Sequence, residues 1–248
     1  MTKPGPDTPA AHFRAEIESE ALHPNLGALV AEAAARYPER PLWVSIDGQG
    51  PDMTYGAFEA QANRCANAFG ALGVGKGTHV GVMLPNVAPF LVTWVALARL
   101  GAVMVPINIG YTPSELRYTL ENGDVEVLVI DDECMAALTG IDDRVALIAD
   151  DRVVVLGSPP APFVHDWFAL TDGASAVFEA PADVGSDDLA TIQYTSGTTG
   201  LPKGCMLTHR YWLIIGKVLA RRGPTVERLL LDLPLHYLGA QWRFWMAL

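Results

Sequence analysis

The strongest constraint in this chain is an alternation of short apolar runs with helical periodicity that begins near residue 79. His79 to Leu84 is an apolar run of strand length, Ala88 to Leu100 a mostly apolar helix, and Ala102 to Pro106 a second strand. Pro113 to Glu121 predicts a helix with proline at its start and Asn122-Gly123 after it, and Val125 to Ile130 a third strand. Met135 to Leu138 predicts a short helix and Val153 to Leu156 a further strand. Strands apolar along their whole length have two faces to bury, and a parallel sheet covered by helices on both sides buries them. The predicted fold class is therefore α/β, with mostly parallel sheets flanked by helices.

The flanks fit around that unit. Leu26 to Tyr37 carries apolar residues at helical spacing and is closed by Pro38; Pro41 to Asp47 and Met53 to Tyr55 read as a hairpin across the turn residues Gly48 to Pro51. Residues 56–72 place Phe58, Ala62, Cys65, Phe69 and Leu72 on one helical face, ended by Gly73, Gly75 and Gly77. Residues 157–186 read as connection, with a short helical piece near His165 to Leu170. Leu189 to Thr195 is again a strand, 195–204 a loop, Thr208 to Arg221 a helix and Arg228 to Leu233 a last strand. Residues 1–24 are expected to be disordered or extended, 25–188 to form an α/β subdomain, and 189–248 to open a nucleotide-binding part. The apolar stretch Trp242 to Leu248 has no cap, no glycine and no polar tail, so the chain is expected to be cut there from something longer.

Charge and cysteine usage narrow the function classes. With 17 Lys and Arg against 28 Asp and Glu, the net charge is −11, a poor match to a nucleic-acid backbone. Cys65, Cys134 and Cys205 are odd in number and form no C-x-x-C pair, as in a reduced, cytoplasmic chain. The amino terminus has no apolar core of the secretory kind. Val87 to Ile109 is interrupted by Pro89, Arg99, Gly101 and Pro106, and is predicted to be a buried helix and strand, not a membrane span. The charge is uneven: residues 189–248 hold seven basic and two acidic side chains, a net +5 that leaves −16 on residues 1–188.

The segment with the clearest chemistry lies in that basic part. Tyr194-Thr195-Ser196-Gly197-Thr198-Thr199-Gly200-Leu201-Pro202-Lys203-Gly204 offers hydroxyl donors, glycines that let the backbone approach a ligand, and an ammonium. A strand, such a loop and then a helix make a concave anion site, and triphosphate is its natural occupant. The spacing is not that of a Walker A loop, because Lys203 lies between Pro202 and Gly204.

This run resembles the signature loop of the adenylate-forming (AMP-binding) enzymes, the superfamily of acyl- and aryl-CoA synthetases, adenylation domains and luciferases. Met53-Thr54-Tyr55-Gly56-Ala57-Phe58 and Leu97 to Asn108 resemble two further elements of the family in order and spacing, so the likeness runs from about residue 25 to the end. The resemblance implies the amino-terminal part of the large domain of such an enzyme, about its front half. It implies a ligase that joins a small carboxylic acid to ATP and then to coenzyme A, with magnesium as the ATP partner. By the same resemblance, Thr195, Ser196, Gly197, Thr198, Thr199, Gly200 and Lys203 hold phosphates, while the adenylation lysine lies beyond the chain, so no catalytic residue is assigned and the chain alone is expected to be inactive.

A second stretch, Leu233-Pro234-Leu235-His236-Tyr237-Leu238-Gly239-Ala240-Gln241, resembles the family's "LPLFHxxAQ" element near the acid pocket. Aligned without a gap, the family histidine falls on Tyr237 and His236 takes the preceding aromatic position. Either His236 substitutes for it or Tyr237 gates the pocket; Gln241 completes the candidate set. The six histidines show no metal-ligand spacing, Asp131-Asp132-Glu133 and Asp142-Asp143 read as solvated charges, and no G-x-S-x-G elbow is present. No metal ligand is assigned, and a homodimer is an allowed assembly. The alternative function is a non-enzymatic nucleotide-binding or interaction module that retains the loop.

Overall fold

A computed structural model of the chain describes residues 8–46, 50–195, 201–222 and 227–248. Helix α1 (Pro9–Ser19) precedes α2 (Leu26–Arg36), the hairpin β1 (Pro41–Trp43) and β2 (Met53–Thr54), and α3 (Tyr55–Ala71). Then follow β3 (His79–Met83), α4 (Ala88–Leu100), β4 (Val103–Pro106), α5 (Pro113–Asn122), β5 (Val127–Asp131), α6 (Met135–Thr139) and α7 (Arg144–Leu147). The chain continues through β6 (Val153–Leu156), β7 (His165–Asp166), α8 (Trp167–Asp172), β8 (Leu189–Thr195), β9 (Lys203–Thr208), α9 (His209–Arg222) and α10 (Leu238–Ala247).

Seven strands form one sheet in the order β7-β6-β5-β3-β4-β8-β9, and every neighbouring pair is parallel except β8 and β9. After β4 the chain crosses back through α5 to place β5 on the other side of β3. The strand order therefore reverses beside β3, and at such a point the crevice beyond the carboxyl ends of the strands is open to a ligand.

Strand alternation sends side chains to two cores. Val80, Val82, Met104, Val129 and Val154 join the core under α2, α3, α4, α9 and α10, while Met83, Val105, Leu128, Ile130 and Val155 face the core that includes α5 and α6. Helix α4 is buried on every side, which accounts for an apolar run long enough to invite a membrane reading. No helix among the described residues is long and apolar enough to cross a membrane. Its lone charge, Arg99, is turned onto Glu59 and Asn63 of α3, and Gly101, at φ +70, ends the helix in the left-handed conformation. Trp94 of α4 meets Trp212 of α9 at 5.0 Å and Trp245 of α10 at 4.9 Å between ring centroids, both edge to face.

Three expectations are corrected. Part of the segment expected to be disordered or extended is helical: Thr8 caps α1, Ile17 is buried, and Glu16 and Glu20 pair with Lys217 and Arg221 of α9. Those partners lie about 200 residues away in sequence, beyond the reach of local periodicity. The strand expected at Arg228 to Leu233 is absent: residues 227–233 pair with no strand, and Leu230 and Leu233 are exposed. A strand not foreseen, β9, stands between the glycine-rich loop and α9, because Lys203 to Thr208 pairs antiparallel with β8.

Replacing Trp94 by alanine removes the ring that ties α4 to α9 and α10. The expected cost is about 3–5 kcal/mol, lowering the thermal midpoint by on the order of 10 °C. A drop below about 2 °C in a calorimetric scan would contradict this packing role.

Candidate functional site

Strand β8 ends at the carboxyl edge of the sheet, and its last residue, Thr195, is the direct cross-strand partner of Lys203, the first residue of β9. Directly opposed residues of an antiparallel pair project to the same face, with Cβ atoms about 5 Å apart. Thr195 and Lys203 therefore stand side by side at the mouth of the hairpin, both exposed. Ser196, Gly197, Thr198, Thr199 and Gly200 lie outside the described residues. Among the described residues no carboxylate is within ion-pair distance of Lys203.

The hairpin changes the source of the electrostatics. The sequence pattern runs from the loop at 195–204 to a helix at Thr208 with no strand between them, whereas β9 takes up Lys203 to Thr208 and α9 starts at His209, at its far end. The helix dipole acts within about one turn of its end, so it does not reach the loop mouth. Much of the local positive charge is also spoken for: Lys217 and Arg221 face α1, Arg243 faces Asp232, and Arg222 stacks on Phe13. At the described mouth the exposed polar groups are the Lys203 ammonium and the Thr195 hydroxyl. Gly204 also has a packing role, since a Cβ there would stand 2.7 Å from Ile192 Cγ2.

The same face of β8 holds the second candidate segment. Gln193, two residues before Thr195, donates from Nε2 to the His236 carbonyl at 2.7 Å. Gln241 of α10 donates to the Leu235 carbonyl at 2.9 Å. Asn86, just after β3, accepts from the Leu235 amide at 2.7 Å and donates to the Leu233 carbonyl at 2.9 Å. Three side-chain amides from three elements thus hold residues 233–236 against the strand ends. Two residues along a strand span about 7 Å, so the loop mouth and this segment are neighbours.

Within the segment the two aromatic candidates divide. His236 is buried, its Nε2 has no hydrogen-bond partner among the described residues, and burial lowers its pKa to about 4. Tyr237 is half exposed, its ring 4.3 Å from that of His236. Gln241 is fully buried and serves the backbone of the segment from inside. Gln193 and Asn86 escaped the sequence reading. Gln193 did carry a signal, as an uncharged polar residue inside an otherwise apolar strand pattern; Asn86, in a turn after Pro85, carried none.

A second buried histidine closes the far end of the hairpin. His209 Nδ1 accepts from the Leu26 amide at 3.3 Å, and burial lowers its pKa to about 4 against the opposing pull of Asp188. Among the described residues no group of three or more His, Cys, Asp or Glu side chains could hold a metal ion.

Folded pKa values near 4 lie below the ordinary 6.5. The unfolded chain therefore binds more protons than the folded one between pH 6.5 and 4, and stability falls as pH drops through that window. Each histidine is expected to cost about 2 kcal/mol between pH 6.5 and 5. Urea unfolding across that range checks it, and a His236→Gln chain with an unchanged pH slope would contradict the assignment for that residue.

Residues 30–248 match the AMP-binding enzyme family. Long-chain-fatty-acid–CoA ligase FadD13 of Mycobacterium tuberculosis is 32% identical over 228 residues, covering 87% of this chain and 42% of that protein. Sulfoacetate–CoA ligase of Cupriavidus necator is 32% identical over 223 residues, covering 86% and 41%. The crystal structure of the N-terminal domain of FACL13 from Mycobacterium tuberculosis superposes with a TM-score of 0.78 at 27% identity, over 91% of this chain and 55% of that one. The chain thus spans about two fifths of the length of these curated relatives. With the Thr195–Lys203 mouth at the sheet edge and a match over nearly the whole chain, the protein belongs to the AMP-binding enzyme family.

Proposed function

We propose that this chain is the phosphate-loop-bearing part of an ATP-dependent acid–CoA ligase. The observation that carries the reading is the pairing of Thr195 with Lys203 at the mouth of the glycine-rich loop, on the sheet face that also holds His236 and Tyr237. In the first step a carboxylate oxygen attacks the α-phosphorus of ATP, the bond to the β-phosphate oxygen breaks, and pyrophosphate leaves. In the second, the sulfur of coenzyme A attacks the acyl carbon, AMP leaves, and the thiol proton passes to base or solvent. Charge stabilisation on the departing phosphates is the main demand of such a step.

Lys203 and the Thr195 hydroxyl meet the β- and γ-phosphate oxygens, with Ser196, Gly197, Thr198, Thr199 and Gly200 completing the cradle. Magnesium would be carried by the nucleotide and would neutralise phosphate charge; among the described residues no cluster of three or more His, Cys, Asp or Glu side chains could hold it. The pocket role falls to Tyr237. His236 is neutral at pH 7, with its pKa lowered to about 4, and brings no positive charge to a carboxylate. The complete reaction draws on residues beyond the two fifths represented here, and a cytoplasmic setting with ATP and coenzyme A goes with the reading.

Titration calorimetry of the 248-residue chain with ATP and with pyrophosphate tests it. Lys203→Ala is expected to weaken both by about tenfold or more, the worth of a charge-assisted hydrogen bond, with Lys203→Arg intermediate. No saturable binding of either ligand at millimolar concentration overturns the reading.

A further inference from the structure

The hairpin that carries Thr195 and Lys203 is braced from the opposite face of the sheet by α5. Tyr118 of α5 donates its hydroxyl to the Pro202 carbonyl at 2.9 Å. Its ring meets that of Tyr194 edge to face, with centroids 6.4 Å apart and planes at 80°. Tyr194 in turn donates to Asn122 Oδ1, at the end of the same helix, at 2.8 Å. Space for the Tyr194 ring is reserved by two glycines: a Cβ on Gly204 would stand 3.4 Å from Tyr194 Cζ, and one on Gly123 3.3 Å from its hydroxyl.

The helix that supplies this brace is firmly seated. Thr112 and Glu115 form a reciprocal capping box at its start, and Leu116, Thr119 and Leu120 are buried. Pro202 has no N–H, so its carbonyl is its only backbone polar group. That carbonyl belongs to the peptide linking residue 202 to Lys203. A hydrogen bond accepted there fixes the plane of this peptide, and the plane sets the direction in which the Lys203 side chain leaves the backbone. The brace therefore acts from one side of the hairpin on the ammonium presented to the other.

We propose that Tyr118 is a positioning residue for phosphate binding, holding the Pro202–Lys203 peptide so that the Lys203 ammonium meets the phosphate oxygens. The inference rests on the triphosphate reading of the loop. Tyr118 touches no phosphate itself and lies outside the glycine-rich motif.

Tyr118→Phe in the 248-residue chain keeps the ring pair and removes only the hydroxyl. Two readouts are combined: calorimetric titration with pyrophosphate, and the carbonyl carbon-13 resonance of Pro202 in protein labelled at proline. The variant is expected to bind pyrophosphate about fivefold more weakly, the worth of one ordinary hydrogen bond. Its Pro202 resonance is expected to move upfield, as for a carbonyl that has lost its donor. Equal affinity in variant and wild type overturns the proposal and leaves the triphosphate reading standing. Weaker binding with an unmoved Pro202 resonance also overturns it, because the loss then has another route. Failure of the wild-type chain to bind pyrophosphate or ATP overturns the triphosphate reading, and this inference with it.

Discussion

Burial of both faces of a parallel sheet is the constraint on which the rest of this structure depends. Strands such as β3 and β5 are apolar throughout, so helices must cover both sides, and right-handed crossovers are the way a chain supplies them. Helix α4 carries the largest share on one face and is itself enclosed by α2, α3, α9 and α10, with Trp94 at the aromatic junction. Because the parallel strands all point one way, their carboxyl ends form a common edge. The loop mouth at the end of β8 and the segment held by Asn86 beyond β3 share that edge.

Electrostatics at the site follow from this placement. An anion site built on a helix amino terminus draws on aligned peptide dipoles, but here the hairpin turns the chain back before a helix begins. What the described mouth offers is an ammonium and a hydroxyl, fixed by strand pairing and by side chains beneath. Side-chain amides do the fixing: the buried Gln193 and Gln241, joined by Asn86 at the surface, hold the neighbouring turn by its own carbonyls and amide. A hydrogen bond inside a packed region loses little by exchange with water, so it holds geometry better than a surface ion pair.

The core was readable because it obeys local periodicity. Ala88 to Leu100 and Val153 to Leu156 have the same limits in the sequence pattern as in the structure, and β3, β4 and α5 differ by a residue or so. What escaped depends on distant partners. Helix α1 is held in place by cations of α9, β9 is a strand because β8 offers an edge, and Arg228 to Leu233 is apolar enough for a strand but has none to pair with. The loop was legible as a motif, and Thr195 and Lys203 as its two ends. Asn86 and Tyr118 were not, since nothing in an isolated asparagine or helical tyrosine reveals which carbonyl it will meet.

The bond between Leu26 and His209 reaches further than its length suggests. It joins the first turn of α2 to the first residue of α9 across 183 positions of sequence, and Asn25 beside it reaches Val184. The front of the chain is thereby fastened only after the β8–β9 hairpin has been laid down. A polypeptide emerging from the ribosome cannot close this clasp until about residue 209 is free, so its amino-terminal helices stay unclasped while all the residues between the two partners are made.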